Sequence, residues 1–298
     1  MYTAANYIDE FEQARPRLTG LAYRILGSVS EAEDAVQETS IKWLAADKDK
    51  LQNSQAWLTT VCTRHCLDVL KSAHKTRTDY FGTWLPEPVV TQSGEIGEGA
   101  GELASSLSTA FLLLLERLSP KERAAYLLYE LFECSYVEVA ATLDMTEAAC
   151  RKLVSRARKN ISADKCRYVS SSESQEKLLQ AFEQAIGTGD VSKFGTLLAE
   201  DAELGADGGG KVIALEHVLM GKKKILGFIG KVLSRSWRED LVTRIELNGS
   251  VSLLYRNDDG INATVSFELN EKVQVQRIFI VRNPEKLAAL DSGVIALC

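Results

Sequence analysis

The sequence predicts a multidomain chain, two all-α units followed by an α+β unit, and three observations predict it. Apolar residues recur at helical spacing through about 7–78 and again through about 105–165. Between those stretches the composition turns to Gly, Ser, Glu and Pro, with Gly94, Gly97, Gly99 and Gly101 closely spaced, as in a flexible linker. Beyond about 240 the pattern alternates with period two and is broken by Asn248-Gly249, Asp258-Asp259-Gly260 and Asn270-Glu271. Asn-Gly and Asp-Gly between alternating runs are strong hairpin signals.

The elements follow in order. Leu18, Leu21, Ala22, Ile25 and Leu26 form one helical stripe that stops at Gly27-Ser28. Ser30-Glu31-Ala32-Glu33 has the spacing of a capping box and predicts a second helix through Trp43. A third starts near Ser54 and carries Trp57, Leu58, Val61, Leu67 and Leu70. In the second unit Ser119-Pro120-Lys121-Glu122 reads as a helix start, with Ser capping and Pro in the first position. Ser135 opens a short helix ending near Leu143, Asp144-Met145 turns, and Thr146 caps a last helix.

On that last helix Cys150, Leu153, Val154, Ala157 and Ile161 share one face. Arg151, Lys152, Ser155, Arg156 and Lys159 cover the other. A short helix, a tight turn and an amphipathic helix with a basic outer face suit a reader of the DNA major groove. Its first turns reach base edges, and the later Arg and Lys reach phosphates. After Ser170-Ser171-Ser172 come helices at about 173–187 and 190–199, a glycine turn and a helix at about 221–234. Strands follow near 241–247, 250–257, 262–269 and 272–281, an antiparallel meander and so an α+β unit.

The totals restrict function. The 298 residues are 45% hydrophobic and 26% charged, a globular composition long enough for two or three cores. The run Phe111–Leu115 is far too short to span a bilayer, and the N-terminus shows no basic segment followed by an apolar one. Six scattered cysteines suggest no disulfide framework and a cytoplasmic chain. A net charge of −6 argues against a general nucleic-acid coat. Yet Arg64–Arg77 holds four basic residues against Asp68, and Arg151–Lys165 holds six against Asp164. Two basic faces on an acidic chain fit a local nucleic-acid footprint.

Other constellations are weaker. Cys62-x-x-His65-Cys66 offers three ligands with no visible fourth, so the cysteines read as small core residues rather than a metal site. His217 with Asp201, Glu203 and Asp207 has no spacing that demands catalysis, and neither enzymatic activity nor a cofactor is expected.

"LSPKERAAYLLYELFECSYVEVAATLDMTEAACRKLVSRARKNI", Leu118 to Ile161, resembles region 4 of bacterial sigma-70-type factors of the extracytoplasmic-function (ECF) class. "LAYRILGSVSEAEDAVQETSIKWL" with "AWLTTVCTRHCLDVLKSA" resembles their region 2. The resemblance implies a factor that binds RNA polymerase core and recognises the −35 and −10 promoter elements. It places Asp34, Gln37 and Glu38 against the core enzyme, and Arg64, His65, Lys71, Lys75 and Arg77 at the −10 element. Arg64 stands where many relatives carry Asn, and Ala148-Ala149 where many carry Gly-Thr.

The chain continues beyond a minimal factor. Its last segment resembles the SnoaL-like branch of the NTF2-like fold, a cone of helices on a bent sheet. Three strings match the subgroup with this extension: Trp84-Leu85-Pro86-Glu87-Pro88, Asp207-Gly208-Gly209-Gly210-Lys211, and Asn283-Pro284 with the Glu-Lys-Leu after it. The expected layout is a region 2 unit at 1–78, a linker at 79–104, a region 4 unit at 105–168 and a SnoaL-like unit at 172–298. Pro86 and Pro88 push Leu85 and Glu87 toward extended backbone, so the linker is expected to dock as a semi-rigid strand on the last unit. The Asp207–Lys211 loop is the expected receptor: its glycines, without Cβ, let another segment approach closely, and Asp207 and Lys211 can supply directional polar contacts. The last unit is then a regulator, and its cone a place for a small-molecule ligand. A helix-turn-helix regulator with a ligand-binding NTF2-like unit is the alternative, and the region 2 resemblance discriminates between them.

Overall fold

The computed structural model describes residues 4–78, 80, 82–91, 106–162 and 172–291. Three helices open it, α1 (Ala4–Leu26), α2 (Val29–Ala45) and α3 (Ser54–Thr78). The first ends where Gly27 adopts φ +73, its N–H closing onto the carbonyl of Tyr23 at 2.7 Å. That break leaves Ser28 extended, and Ser28 Oγ, rather than Ser30, accepts the Glu31 N–H. The helix therefore starts two residues before the expected capping box. A further donor at this helix start, the buried Val29 N–H, is served from 58 residues away by Glu87.

The second group comprises α4 (Thr109–Glu116), α5 (Pro120–Glu130), α6 (Tyr136–Leu143) and α7 (Glu147–Ser162). Ser119 with Glu122, and Ser135 with Glu138, form complete capping boxes. Asp144 turns the chain at φ 51, and Thr146 Oγ1 accepts the Ala149 N–H. These are the helix-turn-helix elements read from the sequence.

The two helical groups share one continuous core, from Phe11 and Leu26 through Leu115 and Leu127 to Val154. Thr60 and Thr142 share a 3.0 Å hydrogen bond between the groups, and Arg123 donates to the carbonyl of Ile25 at 2.6 Å. Arg24, which burial pushes down to about 10, donates to Ser106 Oγ at 2.8 Å. These polar bonds join the two helical units expected from the sequence.

The last unit begins with α8 (Ser172–Thr188) and α9 (Ser192–Leu197), then β1 (Leu198–Asp207) and β2 (Leu219–Met220). Helix α10 (Lys222–Phe228) runs on into a π-helical turn, Ile229–Leu233. Strands β3 (Leu241–Leu247), β4 (Ser250–Asn257), β5 (Gly260–Leu269) and β6 (Val275–Val281) precede α11 (Pro284–Asp291). The sheet order is β2-β1-β6-β5-β4-β3. Strands β3 to β6 are the expected meander, but β1 adds to β6 in parallel, pairing Leu204 with Ile278 and Asp207 with Val281. Residues 198–199 carry a helix-forming composition that the long-range pairing overrides. Phe182 and Phe194 from the helices meet edge to face at 5.2 Å, and Phe182 meets Phe267 of β5 in the same way.

Candidate functional site

The linker is buried between the helical part and the last unit. Leu85, Pro86, Glu87, Pro88 and Val89 are all inaccessible, Leu85 at 1% exposure. A buried extended chain must satisfy its backbone donors, and here the donors alternate. Leu85 N–H goes to Asp207 Oδ2 at 2.9 Å, Glu87 N–H to the carbonyl of Gly27 at 2.9 Å, and Val89 N–H to Asn248 Oδ1 at 3.1 Å. Pro86 and Pro88 fall between them and have no N–H to satisfy. The strand expected from two prolines is present, and its donors alternate between its two neighbours.

Asp207, at the end of β1, is fully buried and its carboxylate takes four donors. Tyr80 OH (2.6 Å) and Gly209 N–H (3.0 Å) reach Oδ1; Leu85 N–H and Lys286 Nζ (2.7 Å) reach Oδ2. Lys286 also donates to the Leu85 carbonyl at 2.5 Å and lies 4.5 Å from the centre of the Trp84 ring. Both polar groups of one linker residue are therefore read by an ion pair. The Trp84 ring lies against Gly27, where a Cβ would come within 2.6 Å of it. Asn283 donates to Tyr80 OH at 3.1 Å and accepts from Glu285 N–H, starting α11 with Pro284 in its first position. Leu85 packs with Phe279, Val281 and Leu287.

Within the Asp207–Lys211 loop the contact to the linker is made by Asp207 and not by the glycines. A Cβ on Gly208 would fall 2.5 Å from the carbonyl of Val212, and one on Gly209 would collide with Asn283, so these glycines serve their own unit. Gly210 takes a left-handed conformation at φ 69, and Lys211 pairs with Glu285. Of that motif, Asp207 reaches Tyr80 and Leu85 of the linker, and its partner Lys286 completes the grip.

Glu87 faces the other way. Its carboxylate accepts from Val29 N–H (2.8 Å) and Ser28 Oγ (3.2 Å), and its carbonyl accepts from Tyr23 OH at 2.6 Å. Burial pushes the Glu87 carboxyl up, against those hydrogen bonds and Lys286.

The recognition-helix candidates Arg151, Lys152, Ser155, Arg156 and Lys159 are all exposed on α7, opposite the buried Cys150, Val154 and Ala157. Arg151 pairs with Glu147 over the Tyr136 ring, and Arg156 with Glu122 at 2.9 Å. An exposed pair such as Arg151–Glu147 contributes little to stability. Asp34, Gln37 and Glu38 are exposed on α2, beside Ile41 (53% exposed) and Leu44 (65%). Those two apolar residues were not singled out in the sequence, although their four- and seven-residue spacing from Gln37 places them on the same side of the helix.

The −10 candidates are less free. Arg64 donates to the carbonyls of Thr142 (2.8 Å) and Ala141 (2.9 Å), where the last turn of α6 presents its negative end. His65 is half-buried and Lys71 pairs with Asp68. The side chains of Lys75 and Arg77 lie outside the described residues.

Cys62 and Cys66 are completely buried in the shared core. In the last unit His217 and Asp201 are exposed, Glu203 pairs with Arg277 and Asp207 is taken up by the linker, so the four do not converge. The cone expected to take a ligand carries Phe182, Phe194, Phe267, Trp237 and Tyr255 among its buried or packed side chains. No helix of the described residues is long and apolar enough to cross a membrane.

The family profile for sigma-70 region 2 matches residues 11–76, and that for sigma-70 region 4 matches residues 108–161. The ECF RNA polymerase sigma factor SigJ of Mycobacterium tuberculosis is 36% identical over 230 residues, 76% of this chain and 73% of SigJ. A probable ECF sigma factor, SigI of the same species, is 31% identical over 179 residues, 59% of this chain and 61% of its own length. The crystal structure of SigJ superposes with a TM-score of 0.71, covering 94% of this chain and 98% of that one at 28% identity. Helical sigma units and the helix-plus-sheet unit after them are thus found together in a solved relative. The chain belongs to the ECF family of RNA polymerase sigma factors.

Proposed function

We propose that the C-terminal unit regulates this sigma factor by gripping the linker and, through it, holding regions 2 and 4 closed on each other. The observation that carries the reading is Leu85, whose N–H and C=O are both taken by the buried Asp207–Lys286 pair. The partners in this reading are RNA polymerase core and promoter DNA, with no small molecule required, and the chain catalyses no reaction of its own. Asp34, Gln37 and Glu38 with Ile41 and Leu44 contact the core enzyme. Arg151, Lys152, Ser155, Arg156 and Lys159 contact the −35 element. Arg64, His65, Lys71, Lys75 and Arg77 serve the −10 element, where unstacked bases need positive charge and stacking surface. Region 2 at 1–78, linker at 79–104, region 4 at 105–168 and regulator at 172–298 are the functional divisions.

In the closed arrangement Arg64 is occupied by the end of α6, so DNA binding and closure compete for one side chain. Run-off transcription with core polymerase tests this. Trp84→Ala, which loosens the linker from Gly27 and Lys286, is expected to initiate more often than the full-length chain. Equal output from the full-length chain, a chain ended at Ser171 and Trp84→Ala would sink the reading.

A further inference from the structure

The Asn248-Gly249 turn, at the tip of the β3–β4 hairpin, does more than reverse the chain. Both residues are left-handed, φ 52 and φ 72, as a two-residue hairpin with this pair requires. Gly or Asp would serve at the first position equally well, so the turn alone does not need an amide side chain. Yet Asn248 is 4% exposed and makes four hydrogen bonds to three other segments. Its Oδ1 accepts from Val89 N–H at 3.1 Å and its own N–H goes to the Val89 carbonyl at 2.9 Å, both in the linker. Its Nδ2 donates to Tyr23 OH of α1 at 2.8 Å and to the carbonyl of Leu107, at the entrance to region 4, at 2.9 Å.

We infer that Asn248 is a latch between the C-terminal unit and the sigma units, satisfied when region 2, the linker and the start of region 4 are all in place. The latch rests on the closed-state reading above and adds a second grip independent of Asp207. An amide has one acceptor side and two donors, and here each side meets a different segment. Removing any one segment leaves a buried polar group without its partner, which favours the fully assembled state over any partial one.

The neighbouring backbone supports it. Thr91 N–H donates to the Glu246 carbonyl at 3.0 Å, Gly249 N–H donates to Thr91 Oγ1 at 3.0 Å, and Val90 pairs with Leu247. The linker thereby adds a short antiparallel strand to the edge of β3, and the Asn248 side chain extends that pairing past the end of the sheet. Tyr23 OH carries the connection onward, accepting from Asn248 and donating to the Glu87 carbonyl.

Amide hydrogen exchange on the full-length chain tests it. Asn248→Gly keeps a turn residue that tolerates positive φ and deletes the side chain; Asn248→Asp keeps the turn and the shape but loses the donors. Both are expected to speed exchange at Glu87 and Thr91, neither of which bonds to the Asn248 side chain, by about tenfold or more (1.4 kcal/mol per tenfold). Leu253 and Val265, inside the sheet, are expected to be unchanged. Tyr23→Phe, which leaves the hairpin untouched, is expected to raise exchange at the same two amides. An increase confined to Val89, or no increase with Tyr23→Phe, overturns the latch. If that happens while Trp84→Ala still raises initiation, the regulatory reading survives and the latch alone fails.

Discussion

The C-terminal unit holds the linker at two places, and the two are built from different chemistry. At Tyr80–Leu85 the receptor is ionic: a carboxylate with four donors and an ammonium that also reads a carbonyl. At Val89–Thr91 it is made of an asparagine amide and a strand edge, with the Glu246 carboxylate accepting from Thr91 Oγ1 at 3.1 Å. A buried ion pair is costly to desolvate and severe when one partner is lost, whereas a neutral bond costs only its own desolvation. On the proposed regulatory reading, the difference teaches that losing one partner is costlier at the first grip, while the second, built of single hydrogen bonds, is the one suited to engage and disengage as regions 2 and 4 come together or part. Glu87 lies between the two and points the opposite way, into region 2.

Removing the carboxylate breaks the comparison most sharply. Asp207→Ala leaves Lys286 buried without its counter-ion and leaves three further donors unpaired. Loss of one member of a buried pair costs about 3–5 kcal/mol, so this variant is expected to show the largest loss of stability in denaturant unfolding. A loss no greater than that of Asn248→Gly would mean that the ionic grip is not the stronger one.

Lys286→Met sharpens it by separating the pair from the carboxylate's other bonds. The methionine chain keeps the packing over Trp84, and Asp207 keeps Tyr80, Gly209 and Leu85 as donors. Three of the carboxylate's four donors are retained while the Leu85 carbonyl also loses its donor, so the expected cost lies below the roughly 3–5 kcal/mol of a buried charge left with no other partner. The same unfolding measurement checks it. A cost matching Asp207→Ala would show that the charge pair, not the carboxylate's hydrogen bonds, carries the grip.

Much of this was legible in the sequence, and what was not has a physical reason. Helical periodicity and capping residues located α5, α6 and α7 because Ser119–Glu122 and Ser135–Glu138 act within one turn of backbone. The two prolines announced a stiff strand, and Asp207 and Asn283 stood in strings that marked them. In the Asp207–Lys211 loop the roles of Asp207 and of the glycines were not separable, because positive φ and close approach look the same in sequence, whether the neighbour is another unit or, as here, Val212 and Asn283. Ser30–Glu33 has the spacing of a capping box, and no sequence pattern shows that Ser28 caps α2 instead while Glu87 supplies a carboxylate from the linker. Asn248 was visible only as a turn, since the turn's own preference for Asn hides any second use of the side chain. Ile41 and Leu44 were readable as helix apolar positions but not as exposed ones, because which face a helix buries is decided by its partners.

The smallest expected effect concerns Glu87, which links the two grips to region 2. Burial raises its carboxyl above the ordinary glutamate value, while Val29 N–H and Ser28 Oγ oppose the rise and Glu33 adds to it. The docked linker therefore holds a proton on Glu87 more tightly than the undocked one. Its contribution is fully present below the ordinary value of about 4.3 and is lost as pH rises through the raised one. Glu87→Gln is neutral at every pH and keeps an oxygen for Val29 N–H. It is expected to match the parent near the acid end and to exceed it at neutral pH by no more than about 1 kcal/mol, the scale of one hydrogen bond. Unfolding curves of both proteins between pH 4 and pH 8, a window set about the ordinary glutamate value, make the comparison. If the variant instead falls below the parent as pH rises, the ionised carboxylate stabilises the N-terminus of α2 more than burial penalises it, and Glu87 belongs with the ionic grip rather than between the two.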